Sequence, residues 1–248
     1  MPTGFTGYGF LLLILARKYF QVDANSLLVA DRRSPILFLR YFGDDEKQIY
    51  RWPVMAFLAF SLEAGLYYHF SRFGPFVAVG SSTETVPMVG AARALLSDDE
   101  WQPRVLSWIR DTKLIVMYSG TTHWVNWELR HVVKNECATR LILMIPEIRA
   151  LLWARKEEIS ARVEQVRAGF SGTPWEEELL SCNDFARLRA MLFRPDGSMV
   201  MVKSRSKSRD SYHLAALVAH HILIDSDAPN NAGTPKPGPS LDSAGRTT

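Results

Sequence analysis

Glu128 is the side chain in this sequence best placed to do chemistry. It belongs to the run Thr121-Thr-His-Trp-Val-Asn-Trp-Glu-Leu-Arg130, which follows the apolar stretch Lys113-Leu-Ile-Val-Met-Tyr-Ser-Gly120. A buried parallel strand that stops at a Ser-Gly turn and enters a helix puts the first turns of that helix at the carboxyl end of the sheet. Open α/β folds bind their ligands there. A carboxylate at that edge, flanked by the indoles of Trp124 and Trp127, can stabilise a cation. Cleavage of a nicotinamide–ribose bond is one reaction that such a group would suit. The competing explanation is that Glu128 merely occupies an early helical position favoured by the helix dipole.

Other residues gather at the same edge. Trp124 and Trp127 are three apart and share one helical side, so they either stack on a nicotinamide or adenine ring or pack the helix. His123, at the helix start, titrates near neutrality if its surroundings leave it unperturbed, or it is a plain polar loop residue. Arg40, Phe42 and Asp44 occupy the end of the run Pro35-Ile-Leu-Phe-Leu-Arg-Tyr-Phe42 and the loop beyond it. An arginine inside so apolar a strand is costly to bury alone. Arg40 therefore contacts a ligand phosphate or ribose, or it pairs with an internal carboxylate such as Glu63. Gly80 and Arg93 bracket a polar segment, and Gly90-Ala-Ala-Arg93 offers small residues and a guanidinium to a phosphate, with neither a Walker pattern nor a Gly-x-Gly-x-x-Gly. Asp98, Asp99 and Glu100 stand at a helix start, where the dipole accounts for them better than a metal does; no metal site is expected.

The elements that must position these residues follow from periodicity and punctuation. Continuous apolar runs predict buried strands over 36–42, 76–80, 113–118 and 140–145. A largely covered helix is expected over 53–73. A second helix runs over 101–111 with Val105, Trp108 and Ile109 on one face, opened by a Ser97/Glu100 capping box, and a third surrounds Glu128. The stretch 81–96 reads as a long ordered loop. Beyond Pro146 come a charged amphipathic helix over 148–169, a hairpin over 189–202 turning at Asp196-Gly197 and a helix over 213–224. Pro, Gly, Ser and Asn dominate from residue 225 onward, which predicts a disordered tail. Alternation of this kind implies an α/β fold, a flavodoxin-like parallel sheet with helices on both faces, plus a C-terminal hairpin and helix. The division expected is 1–33 as an apolar N-terminal helical segment, 34–146 as the core, 147–224 as an extension of the same domain, and 225–248 as the tail.

Composition narrows the function classes. Hydrophobic residues make up 47% of the 248 and charged ones 22%, which excludes a wholly disordered chain and a polytopic membrane protein. The net charge of +3 is concentrated in Lys203-Ser-Arg-Ser-Lys-Ser-Arg209, so no nucleic-acid partner is expected. Cys137 and Cys182 lie far apart without ligand-like neighbours, which points to a reducing, cytoplasmic setting. The run Phe10-Leu-Leu-Leu-Ile-Leu-Ala16 is short of the roughly 20 residues that cross a bilayer. It lacks the flanks of a signal peptide, and reads as a helix packed on the domain or a membrane-surface segment.

The order of elements and three motifs together resemble the Toll/interleukin-1 receptor (TIR) domain family, over roughly residues 34–146. Phe38-Leu-Arg-Tyr-Phe-Gly-Asp-Asp45 is similar to that family's first strand, which ends in an aromatic, a basic or polar residue and an acid. The 80–93 segment stands where its variable loop follows the second strand. Val116-Met-Tyr-Ser119 through Trp127-Glu-Leu129 is similar to its Ser, then Trp, then Glu-Leu pattern. Trp127 adjoins Glu128 directly and the 80–93 segment has no Arg-Asp or Pro-Gly pair, so the resemblance is to a divergent, bacterial-type member. It implies a signalling or defence module that self-associates and binds a nucleotide. NAD is then the implied substrate rather than a tightly bound cofactor, and Glu128 the catalytic carboxylate. Residues Arg40, Phe42, Asp44, Gly80, Arg93, Ser119, Trp124 and Trp127 would line the nucleotide site. Two alternatives stay open: a non-catalytic self-associating interaction domain, and a nucleoside or nucleotide sensor on a related scaffold.

Overall fold

Register defines the sheet. The computed structural model describes residues 22–40, 62–81, 90–97, 99–145, 156–185, 187–206 and 208–227. Strand β1 (Ile36–Leu39) is buried at all four positions. It lies between β2 (Phe76–Ser81) and β4 (Leu114–Tyr118), with Ile36 level with Phe76 on one side and Leu114 on the other. β3 (Ala92–Leu96) continues the sheet beyond β2, and β5 (Leu141–Met144) beyond β4, all in parallel. Two antiparallel strands, β6 (Leu188–Phe193) and β7 (Met199–Lys203), close the far edge. The spatial order is β3-β2-β1-β4-β5-β6-β7, an α/β, flavodoxin-like sheet as its alternating apolar runs require.

Side chains alternate across a strand, and the two faces carry separate cores. Leu37, Leu39, Ile115, Met117 and Leu143 point to one face. That face is covered by α1 (Ala24–Ala30), α3 (Trp101–Asp111), α4 (His123–Lys134) and α5 (Lys156–Gly169), which contribute Ala24, Val105, Val125 and Val166. Ile36, Phe38, Val116 and Met144 point to the other. There α2 (Leu62–Phe70) and the C-terminal helix lie across them through Leu66, Phe70, Tyr212 and Ala216. The predicted stripe of the second helix is present in α3, whose buried residues are Val105, Trp108 and Ile109.

The C-terminal hairpin extends the sheet as its turn chemistry predicts. Gly197 adopts φ +83°, a left-handed conformation suited to glycine, and Asp196 Oδ1 accepts a hydrogen bond from Ser198 N at 2.9 Å.

Four expectations are corrected. Ala92–Leu96 is a strand, not loop: its sequence Ala-Arg-Ala-Leu-Leu has no strand-like apolar run, and pairing with β2 plus the small Ala92 and Ala94 under α1 makes it one. A short helix, α6 (Glu176–Ser181), lies where none was read. The last helix, α7 (Arg209–Asp227), begins earlier and runs later than 213–224, so residues 225–227 are helical and not tail. Helix α2 is covered on one side only, since Tyr68 is 69% exposed. At the start of α3, Ser97 Oγ donates to Glu100 Oε2 at 2.6 Å, while Glu100 itself caps the helix without a side-chain bond.

Residues 10–16, 41–61, 146–155 and 228–248 lie outside the described residues. Among the described residues no helix is long and apolar enough to cross a membrane.

Candidate functional site

From β1 the chain moves outward to β2 and β3, then returns to the other side of β1 to form β4 and β5. The reversal makes the carboxyl ends of β1 and β4 a topological switch point, the place where ligands enter open α/β sheets. Arg40 follows β1 and Ser119 follows β4, so both stand at this switch point.

Ser119 is fixed through its backbone. Its N–H donates to the Met144 carbonyl at 2.8 Å, and its carbonyl accepts from the Arg162 guanidinium of α5. Its hydroxyl is buried with no hydrogen-bond partner among the described residues. The chain then bends and enters α4 at His123, with Thr122 extended as the cap.

Glu128 occupies a core position of that helix. The buried residues of α4 are Val125, Glu128, Leu129 and Val132, the i, i+3, i+4, i+7 spacing of one apolar stripe. A carboxyl group thus stands where the pattern calls for an aliphatic side chain. It is 7% exposed, and its Oε2 has no hydrogen-bond partner among the described residues. Burial disfavours the charged form and pushes its pKa up to about 8. An early surface position favoured by the dipole does not describe this placement: Glu128 is in the second turn and faces inward.

The indoles lie on the flank beside it. Trp124 and Trp127 both contact Trp101 of α3, edge to face at 5.1 Å between ring centres. Trp127 also lies 4.0 Å from the His131 ring. The pair therefore packs α3 against α4. Trp124 remains 48% exposed, and it precedes Glu128 by four residues, which makes the two neighbours on the helix surface. His123 is exposed at the helix start.

The arginines are engaged elsewhere. Arg40 shares the face of Phe38, and Arg93 is level with Ala78 on that same face, away from α4. Both reach Glu63 of α2: Arg40 Nη1 to Oε2 at 3.2 Å, and Arg93 Nη2 to Oε1 and Oε2 at 3.0 and 3.1 Å. The Ala91 N–H adds a 3.0 Å bond to Oε1. A side chain at Gly90 would put its Cβ 2.5 Å from Glu63 Oε1, so this carboxylate needs glycine opposite it. Of the two alternatives for Arg40, the ion pair with Glu63 is the one seen. Gly80 is the fifth residue of β2, where a Cβ would lie 2.9 Å from Leu95 Cδ2. Phe42 and Asp44 lie outside the described residues.

Ser119 thus follows β4, and Glu128 and Trp124 belong to the helix that comes next, while Arg40 and Arg93 form a separate buried cluster with Glu63 on the opposite face. Sequence reasoning missed Arg162. It lies within the charged amphipathic helix expected over 148–169, and it is 1% exposed. A signal was available, because Ile159, Arg162, Val163, Val166 and Phe170 fall at the spacing of one buried stripe.

No family model, curated protein or solved structure matches this chain.

Proposed function

We propose that this chain is a TIR-like module whose switch point between β1 and β4 takes a nucleotide and hydrolyses the nicotinamide–ribose bond of NAD, with Glu128 as the catalytic carboxylate. The observation that carries the reading is a buried carboxyl group, its Oε2 without a hydrogen-bond partner among the described residues, on the helix that follows a strand of the topological switch point. Strongly perturbed titratable groups in such places are functional candidates. An uncharged core carboxyl costs stability unless something uses it, and a cationic ligand is what would relieve its burial.

The chemistry needs little else. The nicotinamide of NAD is already a cation, so it leaves as a neutral ring with the electrons of the C1′–N bond and requires no general acid. Positive charge then develops on the ribose, and water adds to C1′ and releases a proton. An ionised Glu128 stabilises the ribosyl cation, and the exposed face of Trp124 can stack on the departing ring. In the free protein Glu128 is mostly neutral at pH 7, because its pKa lies at about 8. A bound cation favours the carboxylate, so binding near pH 7 releases a proton, and kcat/KM rises as pH increases toward 8.

The test is incubation of concentrated protein with NAD, with nicotinamide release followed by chromatography, in dilute and in assembly-promoting conditions. Glu128→Gln is expected to lower turnover on the order of 10²–10³-fold. Equal rates for the two proteins would remove Glu128 from the mechanism. A wild type inert in both conditions would leave the non-catalytic, self-associating module, a reading favoured by the engagement of Arg40 and Arg93 with Glu63 instead of with an open crevice.

A further inference from the structure

On the face opposite Glu128, a cavity of about 310 Å³ opens between α2 and α7. Its floor is Leu66, Ala216 and Leu217, and its rim is Tyr68, His69, Arg72 and His213. The volume is at the lower end of the range for small-molecule pockets, and an apolar floor with a few convergent polar groups is their usual composition.

The cavity is built by particular residues. Gly65 sits inside α2, where glycine costs about 1 kcal/mol relative to alanine. Its missing side chain is occupied by His213, whose ring atoms lie 2.0 Å from where a Cβ would be. His213 Nε2 donates to the Leu62 carbonyl at 2.9 Å, which holds the imidazole as an end wall. Tyr68 is half of a cation–π pair, with the Arg72 guanidinium 4.6 Å from its ring centre.

Charge selects the occupant. Among the described residues the lining contains no aspartate or glutamate, and Arg72 makes no ion pair. His69, hydrogen-bonded to His220 at 3.2 Å, is held toward its neutral form by burial and by Arg72. Among the described lining residues Arg72 supplies a permanent positive charge, and a guanidinium matches a carboxylate in geometry as well as sign. From this placement we infer that the α2/α7 cavity binds a small aromatic monocarboxylate, with its ring between Tyr68 and Leu217 and its carboxylate on Arg72.

Three probes that share a phenylethyl group test this: 3-phenylpropionate, its neutral amide, and the cationic phenethylamine, each titrated calorimetrically and by NMR shift mapping on the full chain. The acid is expected to bind saturably, the amide at least tenfold more weakly and the amine not at all. Shifts should concentrate at residues 65–72 and 213–217. Arg72→Gln should weaken the acid at least tenfold and leave the amide unchanged, and Leu217→Trp should fill the cavity and abolish both. The wild-type shift map reads the site even where a variant fails to fold. Absence of saturable binding, equal binding of the amine, or shifts at 119–131 instead would overturn the inference. None of these outcomes depends on whether the protein cleaves NAD.

Discussion

A carboxyl group in an apolar stripe and a carboxylate shared by two arginines are both buried, yet their surroundings differ. Glu128 is raised from an ordinary value of 4.5 to about 8, so the folded protein holds a proton that the unfolded chain gives up above about pH 4.5. The contribution of Glu128 to stability is therefore fullest below that value and falls through the window from about 4.5 to 8, by on the order of 1 kcal/mol per pH unit, before levelling off. Glu128→Gln, which cannot ionise, should be more stable than the wild type at pH 8 and should lack the falling contribution, leaving the rise with pH that the buried His220 and the part-buried His69 impose. Melting curves from pH 4 to pH 9 check it, and parallel profiles for the two proteins would show that Glu128 is not buried as described. Glu63 differs in having charged partners. Its carboxylate is needed by Arg40 and Arg93 together, at 3.2 and 3.0 Å. Withdrawing one partner of a buried charged cluster costs about 3–5 kcal/mol, so Glu63→Gln should lower the denaturant midpoint severely at pH 7.

At the scale of elements, the close approach of α2 and α7 depends on one glycine. A Cβ at residue 65 would meet the His213 ring at 2.0 Å, so either the ring or the helix must move. Gly65→Ala should destabilise by about 1–3 kcal/mol despite alanine's better helix propensity. Gly65→Ala combined with His213→Ala should recover part of the loss, which makes the pair non-additive; additive losses would mean that the two helices do not meet there. The α3–α4 contact is different in kind. It rests on three indoles meeting edge to face, which leaves Trp124 half exposed. A functional surface and a packing surface thus share side chains.

At the scale of the molecule, stability is graded across the sheet. β1, β4 and β5 are buried at every position and have neighbours on both sides. β3 and β7 are edges with partly exposed residues. Backbone amides of the three central strands should exchange with solvent near the global unfolding limit, and those of β3 and β7 faster. Uniform protection from β3 to β7 would contradict this order.

The sequence by itself determined the parallel core. Runs such as Ile36-Leu-Phe-Leu39 and Leu114-Ile-Val-Met-Tyr118 are apolar at every position, and only a strand covered on both faces uses such a run. It also determined the hairpin, because Asp196-Gly197 encodes its own turn. Even the Arg40–Glu63 pair was legible as one of two alternatives, since an arginine in an apolar strand demands a counter-charge. Tertiary structure alone decided the rest. Ala92-Arg-Ala-Leu-Leu96 becomes a strand only when β2 offers a register and Glu63 neutralises Arg93. Whether Glu128 faced solvent, an ion pair or the core depended on the rotation of α4 against the sheet, and nothing local to Trp127-Glu-Leu129 encodes that rotation. Arg40 stands at the end of β1 and Glu128 in the helix after the neighbouring β4, and along the sequence they read as one site. Arg40 belongs to the Phe38 face and Glu128 to the opposite face, because side chains alternate across the pleat and the helix after β4 crosses to the other layer.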